Sequence, residues 1–284
     1  MKVPKGLQPL IDEGVVDEVI RPLKSGKEAS VYIVASGQKI LCAKVYKEAN
    51  RRGFHKLAEY QEGRKRRGSR DARAVSNRSK RGREVQEESW KHAEVDALYK
   101  LVHVGVRVPK PRGFFEGVLL MELVADARGH VAPRLNDVVP TPAQAREWHA
   151  FLMSQVVRML CAGLIHGDLS EFNVLIDADG PVIIDLPQAV NASGNNNAFR
   201  MLARDVANIT AWCGRVAPEL LAGEYAHEIW QLFQSGELHP ETQLTGAFVH
   251  DKVPADVNDV MHQIEEARGE MERRQRGREE AELS

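Results

Sequence analysis

The chain has 284 residues, a formal net charge of −1, 43% hydrophobic residues and 28% charged residues. That balance belongs to a globular protein able to bury a sizeable core, as one two-lobed domain or two small ones. It excludes a global field for nucleic acid or membrane, no run is apolar enough to span a bilayer, and Met1-Lys2-Val3-Pro4-Lys5-Gly6 leads into no apolar signal segment.

Residues 1–20 read as a short amphipathic helix or lead-in, with Leu7, Leu10, Ile11 and Val15 apolar. Val19 to Val34 reads as strand, tight loop, strand. Ser25, Gly26 and Lys27 sit in the loop, where small residues let backbone N–H groups approach an anion and the lysine adds charge. A plain hairpin turn fits the same residues, and the Gly-x-x-x-x-Gly-Lys-Ser/Thr pattern of a Walker A loop is absent. A third strand, Ile40 to Tyr46, carries Lys44 inside an apolar run. Such a lysine either snorkels to solvent or points at a ligand. Cys42, Cys161 and Cys213 form no Cys-x-x-Cys pair, and their apolar neighbours predict reduced, buried thiols in a cytoplasmic protein.

Residues 47–83 change character, with thirteen Lys or Arg residues from Arg51 to Arg83 interleaved with Gly and Ser and few acids. This basic insertion is either a solvated loop or, over 51–83, a phosphate-binding arm for RNA or an acidic partner. Helical spacing resumes from Glu84 to about His103, with Val85, Trp90, Ala93, Ala97, Leu98 and Leu101 as the apolar stripe. Glu94 lies near that face, and Glu87 and Glu88 are neighbouring alternatives. Residues 106–111 and 113–123 predict two more strands and a turn, completing a small antiparallel sheet. Thr141 as N-cap and Pro142 at the first position open a long helix that Gly163 ends.

The next stretch carries the chemistry. In His166-Gly167-Asp168-Leu169-Ser170-Glu171-Phe172-Asn173, one Asp is followed five residues later by an Asn, and a second Asp, Asp185, ends the apolar run Val182-Ile183-Ile184. Asp168 can orient a hydroxyl and accept its proton, while the Asn173 amide oxygen and the Asp185 carboxylate can hold Mg²⁺ against phosphates. Beyond lie a Gly/Asn-rich loop at 191–197, a helix from Phe199 to Val216 that contains Asp205, shorter helices over 217–221, 224–235 and 255–277, and a charged end.

His-Gly-Asp-Leu-Ser-Glu-Phe-Asn with the later Ile-Asp-Leu-Pro-Gln resembles the catalytic and metal loops of the RIO family of atypical serine/threonine kinases. Ser-Gly-Lys-Glu-Ala-x-Val-Tyr resembles that family's phosphate loop. The resemblance implies an α+β, two-lobed protein-kinase-like fold: an N-lobe over 1–122, a shortened C-lobe over 123–262 and a charged tail over 263–284. It implies Asp168 as catalytic base, Lys44 held by Glu94 against the α/β-phosphates, and Asn173 and Asp185 on Mg²⁺, with Mn²⁺ as an alternative. It also implies Ser25, Gly26 and Lys27 over the nucleotide, and a hinge at Met121, Glu122 and Val124 facing adenine. Asp205 would brace the catalytic loop, although a plain helix Asp fits equally. The expected activity is transfer of the ATP γ-phosphoryl group to a Ser/Thr hydroxyl, on itself or another protein. A ribonucleoprotein-binding ATPase switch and a small-molecule phosphotransferase are the rival readings. Gly167 in place of Arg and Ser170 in place of a catalytic Lys depart from ordinary protein kinases as RIO members do.

Overall fold

Alternating apolar residues build one antiparallel sheet in the strand order β1-β2-β3-β5-β4: Glu18–Ser25 (β1), Ala29–Ser36 (β2), Lys39–Tyr46 (β3), Pro111–Phe115 (β4) and Val118–Glu122 (β5). The computed structural model describes residues 3–26, 29–47 and 93–248. Lys27, Glu87, Glu88, nearly all of the basic insertion, the helix expected over 255–277 and the tail lie outside the described residues.

The two-residue period of β3 gives each sheet face a different task. Leu41 and Ala43 join Leu7, Leu10, Val16, Val19 and Val34 in an outer cluster, covered by the short helix α1, Gln8–Asp12. Full burial of Leu7 and Leu10 contributes roughly 2 kcal/mol each. Cys42, Lys44 and Tyr46 take the other face. There the described part of helix α2, residues 93–103, packs Val95, Leu98 and Leu101 with Leu119 and Tyr46 into the main core.

The strand expected over 106–111 does not form. The hairpin is β4–β5, turned at Glu116 and Gly117 with φ of 46° and 80°. Pro109 has no N–H for a ladder there, and Pro111 instead opens β4, a first-residue position that needs none. Arg107 instead stitches this segment to the helical half. Its N–H donates to Gln155 Oε1 (2.9 Å), its carbonyl accepts from Ile183 N–H (2.9 Å), and its guanidinium donates to both Asp177 oxygens (2.7 and 2.8 Å).

The long helix α3, Pro142–Cys161, opens with a capping box in which Thr141 and Gln144 satisfy each other's backbone N–H. Gly163, at φ 73°, reverses the chain after it. Four short strands follow: Leu164–Ile165 (β6) pairs with Val190–Asn191 (β9), and Val174–Asp177 (β7) forms a hairpin with Gly180–Ile183 (β8). The segment expected to be a loop at 191–197 includes the end of β9 and a 3-10 turn, Ala192–Gly194. Helix α4, Ala198–Gly214, packs against α3, and α5, Tyr225–Ser235, packs against both. Cys42 and Cys213 are buried as expected, but Cys161 is exposed, because it is the last residue of α3 and lies off the helix's buried stripe.

Candidate active site

The sheet side is a charge pair with a third partner. Lys44 points from β3 toward α2, where its Nζ donates to Glu94 Oε1 at 2.6 Å, and also to Asp185 Oδ1 at 2.9 Å. The Tyr46 hydroxyl donates to the other Glu94 oxygen, Oε2, at 2.6 Å, and the lysine ammonium lies 5.5 Å from the Tyr46 ring centroid. Glu94 is 3% exposed, so two charge-assisted donors compensate a carboxylate that would otherwise be costly to bury. Burial works against the charge on Lys44, but the Glu94 and Asp185 carboxylates outweigh it and hold the lysine protonated well above its ordinary range. Burial and the neighbouring Glu94 push the Tyr46 phenol upward, so it remains a donor. Desolvation in the cleft opposes ionisation of Asp185, but Lys44 overcomes it and keeps the carboxyl below its ordinary value.

The loop side is held by its backbone. Asp205 on α4 is 1% exposed and accepts from Gly167 N–H (2.7 Å) and Leu169 N–H (2.9 Å), on either side of Asp168. Arg204 donates to the Gly167 carbonyl and Asn208 to the Leu169 carbonyl (2.8 Å). Burial raises the Asp205 carboxyl to about 6, although His166, Arg204 and the two N–H groups pull the other way. The His166 ring takes the Asp168 N–H at Nδ1 (3.3 Å), which assigns the proton to Nε2, facing the Ile184 carbonyl (3.1 Å). That contact couples the segment before Asp168 to the residue before Asp185.

Asn173 is positioned by both of its neighbours. Its N–H donates to the Ser170 carbonyl (2.9 Å), its carbonyl accepts from Ile184 N–H (2.9 Å), and its amide Nδ2 donates to the Asp168 carbonyl (2.8 Å). With the amide nitrogen engaged there, the amide oxygen is the group that can accept or ligate. Asp185 sits at φ 68°, a left-handed conformation uncommon for a residue with a side chain. Its side chain is 49% exposed and uses one oxygen on Lys44. The site therefore offers an exposed carboxylate at Asp168, two hard oxygens at Asn173 and Asp185, and one fixed ammonium.

Of the remaining expected positions, Ser25 ends β1 and Gly26 N–H closes the turn on the Ala29 carbonyl (2.9 Å). Lys47 reaches over this turn, donating to the Gly26 carbonyl (2.6 Å) and Ser25 Oγ (3.0 Å). Met121 and Glu122 end β5, with Met121 opposite Cys42, and the Val124 carbonyl accepts from Ala132 N–H (3.0 Å). Tyr46, Lys47, Arg204 and Asn208 were not found from the sequence. Tyr46 had a signal, since it lies two residues after Lys44 and shares its face of the strand.

A family model for the RIO domain matches residues 30–224, more than half of the chain. The chain belongs to the RIO family. It is 35% identical over 202 residues to the RIO-type serine/threonine-protein kinase Rio1 of Haloferax volcanii, covering 70% of this chain and 64% of that protein. The protein of the same name from Methanocaldococcus jannaschii is 32% identical over 196 residues, covering 68% and 61%. That from Thermoplasma acidophilum is 31% identical over 184 residues, covering 63% and 88%. The chain thus spans somewhat under two thirds of the Haloferax and Methanocaldococcus relatives. Membership in the RIO family agrees with the α+β architecture, an antiparallel sheet against a mainly helical half. At the RIO-type loop positions, Ser170 and Glu171 are both buried, and Glu171 lies 3.7 Å from Arg215.

Proposed function

We propose that this RIO-family chain is an ATP-dependent serine/threonine kinase that transfers the γ-phosphoryl group to a protein hydroxyl, including its own. The observation that carries this is the Lys44 ammonium seated between Glu94 Oε1 and Asp185 Oδ1. A cation fixed beside a partly exposed carboxylate is poised to hold phosphate oxygens next to a metal-binding group. Asp168 orients the incoming Ser/Thr hydroxyl and takes its proton as the new oxygen–phosphorus bond forms. The bond to the β-phosphate breaks and ADP leaves. Asn173 and Asp185 present two hard oxygens, a donor set suited to Mg²⁺ and also to Mn²⁺. A bound divalent ion would neutralise the charge developing on the phosphate oxygens. Ser25, Gly26 and Lys27 cover the nucleotide, while Met121 and the backbone of Glu122 and Val124 line the adenine pocket.

In this reading the lobes meet at Glu122, with 1–122 above, 123–262 below and 263–284 as a charged extension. The protein works in the cytoplasm on a protein substrate, and the basic segment 51–83 offers phosphate contacts to RNA or an acidic partner. Among the described residues no helix is long and apolar enough to cross a membrane.

Incubation with γ-labelled ATP and Mg²⁺, beside Asp168→Ala, tests the assignment. Acid-stable label on Ser or Thr, absent from the variant, is expected. A hydroxylamine-labile acyl phosphate, or phosphate release without labelled protein, would replace the kinase reading with an ATPase switch.

A further inference from the structure

Away from the Lys44–Asp185 cleft, the helical half carries an open slot of about 500 Å³ between the start of α3, the chain just before it and the β7–β8 hairpin. Val138, Val139, Trp148, Phe151 and Ile176 line it. Val139 is 94% exposed, an apolar side chain held out beside two half-buried aromatics. The remaining charged lining is acidic: Glu147, Asp177 and Asp179, with no Lys or Arg among the described lining residues. Arg107 neutralises Asp177 through two hydrogen bonds and fixes the hairpin turn, where Asp177 also accepts Asp179 N–H (2.8 Å). Asp179, whose side chain is 88% exposed, is only at the edge of that guanidinium's reach (3.5 Å), and Glu147 is exposed on α3. Five apolar side chains beside two outward carboxylates ask for a ligand that joins apolar groups to positive charge.

We propose that this slot docks an extended segment of a protein substrate that presents two apolar side chains two residues apart, next to Lys or Arg. The proposal rests on the kinase reading for what the segment belongs to. An extended peptide places residues i and i+2 on one side, so two apolar side chains can meet the Val139, Trp148 and Phe151 cluster together while a neighbouring Lys or Arg reaches a carboxylate. A nucleic-acid backbone or an anionic membrane would meet carboxylates of its own sign. The location also fits a substrate. Strand β7 begins directly after Asn173, and β8 leads through Ile184 to Asp185, so the slot and the candidate site share one hairpin.

The test uses the full chain, without nucleotide, and three fluorescein-labelled peptides: Lys-Arg-Ala-Leu-Ala-Leu, Lys-Arg-Ala-Ser-Ala-Ser and Glu-Glu-Ala-Leu-Ala-Leu. Anisotropy should show saturable binding of the first only, weakened about tenfold or more by Val139→Asp and by Glu147→Lys. Both positions are exposed, so these variants keep the fold, and ATP binding by each should match that of the unaltered chain. Fusing the first peptide to a Ser-containing acceptor should lower its KM without changing kcat, and the two variants should erase that gain. Binding of the Ser-substituted peptide equal to that of the first, binding indifferent to both variants, or no binding by any peptide overturns the docking role. Direct binding of a labelled short RNA that Val139→Asp weakens would also overturn it, by assigning the surface to nucleic acid. Peptide binding without phosphoryl transfer would fail the kinase reading and leave the docking surface standing.

Discussion

The two walls of the candidate cleft are held together by different physics. On the sheet side, Lys44, Glu94, Tyr46 and Asp185 are joined through side-chain charges and one phenol. On the loop side, buried groups of α4 grip the backbone around Asp168. An ion pair can be exchanged for a phosphate that arrives with its own negative charge. A buried carboxylate that satisfies two backbone N–H groups has no such alternative partner, so losing it costs the fold directly. The sheet side is therefore where ligand binding can rearrange contacts, and the loop side is the fixed reference.

Asp185→Asn should give the largest effect. Asn tolerates the left-handed backbone at this position, so the change removes charge and little else. Phosphoryl transfer should fall by roughly 10²–10³-fold, measured with labelled ATP, while denaturant stability changes by about 1 kcal/mol or less.

Asp205→Asn should reverse that pattern. The amide has one oxygen for two N–H donors and turns its own NH₂ toward the other, at a cost of roughly 2–4 kcal/mol in urea unfolding. Transfer should fall as well, because Asp168 sits between the two released N–H groups.

The support of α4 itself can be tested by pH. His149 on α3 is 2% exposed, shares a hydrogen bond with Thr210 on α4 (2.9 Å), and is held down to about 4 by burial. As pH falls from about 6.5 to 4, the unfolded chain takes up a proton that the folded chain refuses, so stability is lost in that window. The loss integrates to about 3 kcal/mol. His149→Gln should lack this loss in unfolding measured across the window. Asp205, raised in the folded state, contributes the opposite slope between about 4 and 6 in both chains and drops out of the difference.

Tyr46→Phe should give the smallest effect. It removes one donor from buried Glu94 and leaves Lys44 in place, at about 1 kcal/mol, read as a several-fold fall in kcat with a modest change in unfolding midpoint. A variant with unchanged kcat would show that the lysine alone positions Glu94.

The same contrast explains what could be read from the sequence. Asp168, Asn173 and Asp185 are close in the chain, and a short turn brings them together, so spacing carries their geometry. Lys44 announced itself as a charge inside an apolar strand. Its partner Glu94 lies fifty residues away, beyond the basic insertion, and only the resemblance singled it out from Glu87 and Glu88. Arg204 and Asn208 gave no signal, because their task is to hold a backbone more than thirty residues earlier. The strand misplaced at 106–111 had β-branched residues in the right pattern, but its prolines and the long-range bonds of Arg107 decided otherwise. The peptide-sized slot was invisible for a similar reason, since α3 and the β7–β8 hairpin meet only in the fold.

Urea unfolding and γ-labelled ATP transfer, measured together on the unaltered chain, Asp185→Asn and Asp205→Asn at one pH, test the difference between the two walls most directly. Asp185→Asn should keep its stability and lose transfer, while Asp205→Asn should lose several kcal/mol of stability. An Asp185→Asn chain that still transfers phosphate at the original rate, or an Asp205→Asn chain as stable as the original, would contradict the account.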